Sequence, residues 1–122
     1  MRFVNCTPHE VTIRDGSGKK LLNIPPYGPV VRLKTISTPI MELAGISVVV
    51  HEYAEPEGLP DDLEPGDILI VSEKCLDAVR KATARKAVIV VAPDTSPESA
   101  VRDEDGRIIG VKRFVLAAGT FV

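Results

Sequence analysis

Two strand-like runs, Asp67-Ile68-Leu69-Ile70-Val71 and Ala87-Val88-Ile89-Val90-Val91-Ala92, flank a stretch whose apolar positions Cys75, Leu76, Val79 and Ala82 recur at helical spacing. Strand, helix and strand in that order make residues 67–92 a β-α-β unit with its two strands parallel. The second run is apolar throughout, as a strand covered on both faces is. Ser72 stands where an N-cap is expected, Glu73 lies in the first turn, and Arg80, Lys81, Arg85 and Lys86 lie toward the other end, all matching the helix dipole. The pattern predicts one main helix over about 73–84.

The rest of the chain reads as strands. Val11-Thr12-Ile13-Arg14 and Leu21-Leu22-Asn23-Ile24 flank Asp15-Gly16-Ser17-Gly18, a hairpin by alternation and turn chemistry. Pro25, Pro26 and Pro29 end it, since proline cannot donate to a ladder. Val30 to Ile36 and Ile46 to Tyr53 then read as separate strands, with a break at Ala44-Gly45. Residues 54–66, acidic and rich in Pro and Gly, read as a surface connection. A second hairpin is expected from Ala100 to Arg102 and Arg107 to Val115. The expected fold class is α+β and strand-rich, with a mixed, mainly antiparallel sheet or a partly open barrel. One helix covers only part of such a sheet, so barrel closure or a homo-oligomer is expected to hide the remainder.

The length of 122 residues suits a single domain, 1–122. Apolar residues at 44% and charged residues at 26% exclude the composition of a disordered chain. The net charge of −2, with both signs interspersed, lacks the basic footprint of a duplex nucleic-acid or anionic-membrane partner. The opening residues enter strand-like sequence without a leader pattern, and the longest apolar stretch, Ala87 to Pro93, is far too short to span a bilayer. Cys6 and Cys75 form no disulfide framework, so both read as free thiols in a cytoplasmic protein. The absence of Gln, with only two Asn, leans toward a thermophile-like composition.

Ligands of a β-α-β unit gather at the carboxyl ends of its strands. That edge carries Ser72, Glu73, Asp94, Thr95 and Ser96; the helix start suits an anion, while the plainer account makes Ser72 a cap and Asp94 a turn residue. The second candidate is Asn5-Cys6-Thr7-Pro8-His9, which the plainer account reads as an Asx turn. A thiol nucleophile at Cys75 with His9 or His51 as base conflicts with the place of Cys75 on the apolar stripe of the helix. A zinc site from Cys6, His9, His51 and Cys75 lacks paired spacing, and the acidic run from Glu55 to Glu64 lacks that of a calcium loop. Neither GxxxxGK[ST] nor GxGxxG occurs. Neither a metal nor a cofactor is expected.

Three segments carry a resemblance. The opening Asn5-x-Thr7-Pro8-His9-x-Val11, the strand end Ile70-Val71-Ser72, and the stretch from Pro93-Asp94-Thr95-x-Pro97 to Val101-Arg102-Asp103-x-x-Gly106-Arg107-Ile108-x-Gly110-Val111 resemble a family of small uncharacterised proteins of bacteriophages and bacteria. Cys6 departs from that pattern, which usually has an apolar residue there. The resemblance implies a viral or mobile-element setting, hence the host cytoplasm, and brings no activity with it. Together these readings point to a non-enzymatic module that binds a small anionic or nucleotide-like ligand through Asn5, Thr7, His9, Ser72, Asp94, Thr95 and Arg102. A structural or protein-interaction component, such as a virion accessory protein or host-factor inhibitor, is the alternative, and a small hydrolase centred on His9, Asp94 or Cys75 is the third.

Overall fold

The computed structural model describes residues 2–117. In chain order the strands are β1 (Phe3–Asn5), β2 (Val11–Arg14), β3 (Lys20–Ile24), β4 (Arg32–Leu43), β5 (Ile46–Glu57), β6 (Ile68–Ile70), β7 (Ile89–Pro93), β8 (Ala100–Arg102), β9 (Ile108–Val111) and β10 (Phe114–Leu116). The helix α1 (Leu76–Ala82) is entered through a 3-10 turn at Glu73–Cys75. Met1 of the expected opening strand lies outside the described residues.

These strands form two four-stranded sheets and one separate two-stranded ribbon, with no closed barrel among the described residues. The first sheet has the order β1-β6-β7-β10; β1, β6 and β7 are mutually parallel, and β10 runs antiparallel to β7. The second has the order β3-β2-β9-β8 and is antiparallel except where Ile13 of β2 meets Val111 of β9. The expected β-α-β unit is therefore present, and β1 adds a third parallel strand that the opening residues alone do not reveal.

Alternation along the parallel strands explains why their sequences are apolar without interruption. Leu69, Val71, Val90 and Ala92 point into a core shared with Cys75, Leu76 and Val79 of the helical side. Ile70 and Val91 point the other way, into a second core with Val11 and Ile24 of the other sheet. The first sheet is thus the middle of three layers, with the helix on one face and the second sheet on the other. The second sheet, and not barrel closure, covers the face left bare by the helix. The outer edge of β1 is covered too: Tyr27 N donates to Asn5 O and Val31 N to Cys6 O, so the proline-rich segment lies along it.

Three expectations need correction. Residues 107–115 are not one strand, because the chain switches sheets at Lys112-Arg113. There the buried Ser99 hydroxyl accepts from both amides, at 3.1 and 3.3 Å. Ser72 occupies the N-cap position without capping; its hydroxyl donates to Cys75 Sγ at 3.2 Å and not to the backbone. The strands expected at 30–36 and 46–53 are two arms of one long hairpin, closed by Ala44 and Gly45, both at positive φ as a two-residue hairpin turn requires. That hairpin extends to Glu57, so the acidic connection begins later than its composition suggests.

Candidate functional site

The carboxyl ends of β1, β6 and β7 open into one cleft of about 520 Å³. The turn after β1 supplies Thr7, Pro8 and His9; the turn after β6 supplies Ser72 and Glu73; the end of β7 and its loop supply Pro93 and Thr95. The opposite wall comes from the second sheet, with Val11 and Thr12 of β2 and Ile108 to Val111 of β9. Three parallel strand ends meeting beneath a second sheet form the concave setting in which small ligands are held.

The turn after β1 is fixed by a buried side chain. Asn5 is 1% exposed. Its amide nitrogen donates to His9 O at 2.9 Å and to Ile24 O at 3.0 Å, and its Oδ1 accepts from Thr7 N at 3.0 Å. The Thr7 hydroxyl lies 2.7 Å from the same Oδ1 and 3.0 Å from His9 O. Asn5 thereby ties the Thr-Pro-His turn both to itself and to β3, which leaves the His9 ring on the rim.

A similar knot holds the loop after β7. Asp94 Oδ1 accepts from Ser96 N at 3.0 Å and Asp94 Oδ2 from Arg113 Nε at 2.5 Å. The Arg113 guanidinium, helped by the Ser96 amide, holds the Asp94 carboxyl down at about 2. A group depressed in the folded state adds stability that is full above its ordinary value and disappears as pH falls through its folded one. Asp94→Asn keeps the acceptor for Ser96 and loses the charge. The variant is expected to unfold earlier than the parent in urea at neutral pH, and the two midpoints are expected to converge as pH approaches about 2.

Thr7, His9, Ser72 and Thr95 therefore line the same cleft, whereas Asn5 and Asp94 stand behind it with their polar atoms engaged. Arg102 is elsewhere in use: it sits on β8 and donates from Nη1 to Gly106 O at 2.6 Å, bracing the β8–β9 turn. The cleft consequently has two carboxylates, Glu10 and Glu73, and no Lys or Arg in its lining. The sequence reading missed the apolar wall of Val11, Ile108, Ile109 and Val111.

Neither thiol is presented for chemistry. Cys6 is 1% exposed, and burial pushes its thiol up to about 11, so it stays protonated at neutral pH. Cys75 is fully buried in the helix-side core. Both are free, as the sequence suggested. The hydrogen bonds found at His9 use its carbonyl rather than its ring. Among the described residues no three His, Cys, Asp or Glu side chains are grouped to hold a metal ion, and no helix is long and apolar enough to cross a membrane.

Compared with family models, with curated proteins and with solved structures, the chain matches none. What the fold defines is a strand-rich α+β protein of three layers, and its function has to be argued from the cleft.

Proposed function

We propose that this protein is a non-enzymatic module that binds a small molecule in the cleft at the carboxyl ends of β1, β6 and β7. The observation that carries the proposal is the convergence of Thr7, His9, Ser72 and Thr95, from three separate strand ends, on one cavity of about 520 Å³. That volume falls in the range of small-ligand sites, roughly 300–1,000 Å³. Binding is favoured over catalysis because, of the candidate reactive groups His9, Asp94 and the two thiols, only His9 lines the cleft and the others are otherwise engaged. Cys6 and Cys75 are buried, and Asp94 is held by Arg113 and Ser96.

The lining also refines the ligand class. An anion would meet the carboxylates of Glu10 and Glu73 with no lining cation to offset them, and Arg102 is committed to its own turn. The apolar wall suits a flat, apolar body, while the hydroxyls and carboxylates suit hydrogen-bond donors. A nucleoside-like ligand, uncharged or cationic, fits this balance better than a nucleotide. A phage or mobile-element setting, which the resemblance implies, accords with a protein that sequesters or senses such a compound in the host cytoplasm.

Thermal-shift measurements with nucleosides, their phosphorylated counterparts and inorganic phosphate test the proposal. A ligand present at about a hundred times its dissociation constant should stabilise the fold by about 2.7 kcal/mol. Thr95, exposed on the rim, can be replaced by Trp without entering the core. Thr95→Trp should abolish the shift while leaving the unliganded melting temperature unchanged. Stabilisation by phosphate-bearing compounds alone would refute the assigned ligand class, and no stabilisation across the panel would refute the site.

A further inference from the structure

The β4–β5 ribbon stands apart from both sheets, pairing with neither among the described residues. From residue 34 to residue 53 every position is exposed except Val48, which is half-buried. A two-stranded ribbon without a covered face is at best marginally stable in water. Here only the base is covered, where Leu33 packs against the helix-side core, while the ladder runs from Arg32↔Glu57 out to Leu43↔Ile46.

The register sorts its side chains by face, because directly opposed residues share one. Leu43 opposes Ile46, Met41 opposes Val48, Thr38 opposes Val50 and Ile36 opposes Glu52, all on a single face. Ile40 is the extra residue at the irregularity between Pro39 and Met41. The other face pairs Thr35 with Tyr53, Ser37 with His51, Pro39 with Val49 and Glu42 with Ser47, a set in which polar residues predominate. One face of the ribbon is therefore an apolar strip in which Ile36, Met41, Leu43, Ile46 and Val50 are 41–68% exposed. Single exposed apolar residues are ordinary in a soluble protein, but a contiguous strip marks an interface.

We propose that this strip packs face to face against the same strip of a second copy of the chain, related by a two-fold axis. The edges of the ribbon argue for the face. β4 carries Pro39 and two ladder irregularities, and β5 carries His51 and Glu52, devices that discourage strand addition. The strip carries one charge, Glu52, at its end beside Ile36 and away from the Leu43–Ile46 tip. A second copy suits it better than a partner of opposite charge, since the strip is apolar but for Thr38 and Glu52 and the net charge of −2 opposes self-association only weakly. Its size also fits: on the order of 500 Å² per chain makes about 1,000 Å² for a pair, the lower bound for a specific interface. The inference is independent of the cleft, which lies on the strand ends of the sheets.

Light scattering coupled to size exclusion, run over a wide concentration range on the full chain, tests this directly. The wild type should have the mass of two chains. Ile46→Glu and Met41→Glu should each weaken the dimer more than about a hundredfold, since a carboxylate would be buried unpaired. Tyr53→Ser, on the opposite face, should leave the dimer intact. These side chains lie outside both cores, so circular dichroism should report folded variants throughout. A wild type that remains monomeric at every concentration, a dimer that survives both Glu variants, or a dimer lost in Tyr53→Ser would overturn the proposal.

Discussion

Asn5→Ala is expected to lower the stability of this protein by about 3–5 kcal/mol, the largest effect of any polar substitution behind the cleft. The side chain is buried and engages His9 O, Ile24 O and the Thr7 amide and hydroxyl. Alanine removes four hydrogen bonds, each worth about 1 kcal/mol net, and leaves buried groups unpaired, which costs more than the bonds alone. For a chain of this size the loss corresponds to a fall in melting temperature of about 10–20 °C. Urea unfolding should show the midpoint shifting with little change in slope. Thr7→Val, which deletes a single hydroxyl, should cost only about 1 kcal/mol. Equal losses for the two variants would contradict the central role given to Asn5. The same substitution should weaken ligand binding beyond its effect on stability, since the turn carrying Thr7 and His9 to the rim depends on Asn5.

This distinction between a residue that lines the cleft and one that builds it marks where sequence reading stops. The β-α-β unit was legible because two apolar runs and one helical stripe leave little choice of arrangement. Thr7, His9, Ser72 and Thr95 were legible as polar groups just past strand ends. Asn5 and Asp94 looked the same in the sequence, but the structure engages both internally, and an Asx turn and a ligand contact share one residue signature. The wall of Ile108 to Val111 was hidden for a different reason. It reaches the cleft only because Val111 meets Ile13, a pairing between segments far apart in the chain. The ribbon was half-visible. Pro39 interrupts the alternation and Pro56 ends it in sequence terms, while the three-dimensional ladder accommodates both at its irregularities.

Gly58→Ala is expected to destabilise the protein by about 3 kcal/mol or more, although the substitution adds one methyl group in a loop. Gly58 follows β5 directly and has φ of +88°, a conformation that costs a residue with a Cβ about 1–2 kcal/mol. Space compounds the strain, because a Cβ at this position would lie 2.3 Å from Val30 O. That oxygen belongs to the backbone, and the next residue, Val31, is buried in the helix-side core with its amide bonded to Cys6 O. The chain cannot withdraw at Val30 without disturbing either the core or the covered edge of β1. Gly45, with φ of +80°, provides the comparison: a Cβ there would meet nothing within 4 Å, so Gly45→Ala should cost only the conformational part. Chemical unfolding of the two variants side by side separates the contributions. A Gly58→Ala protein no less stable than Gly45→Ala would mean that β5 does not leave its ribbon pressed against Val30. Because Gly58 fixes how the ribbon joins the body, its loss should also loosen self-association, whereas Gly45→Ala at the tip should alter the dimer only through the local shape of the turn.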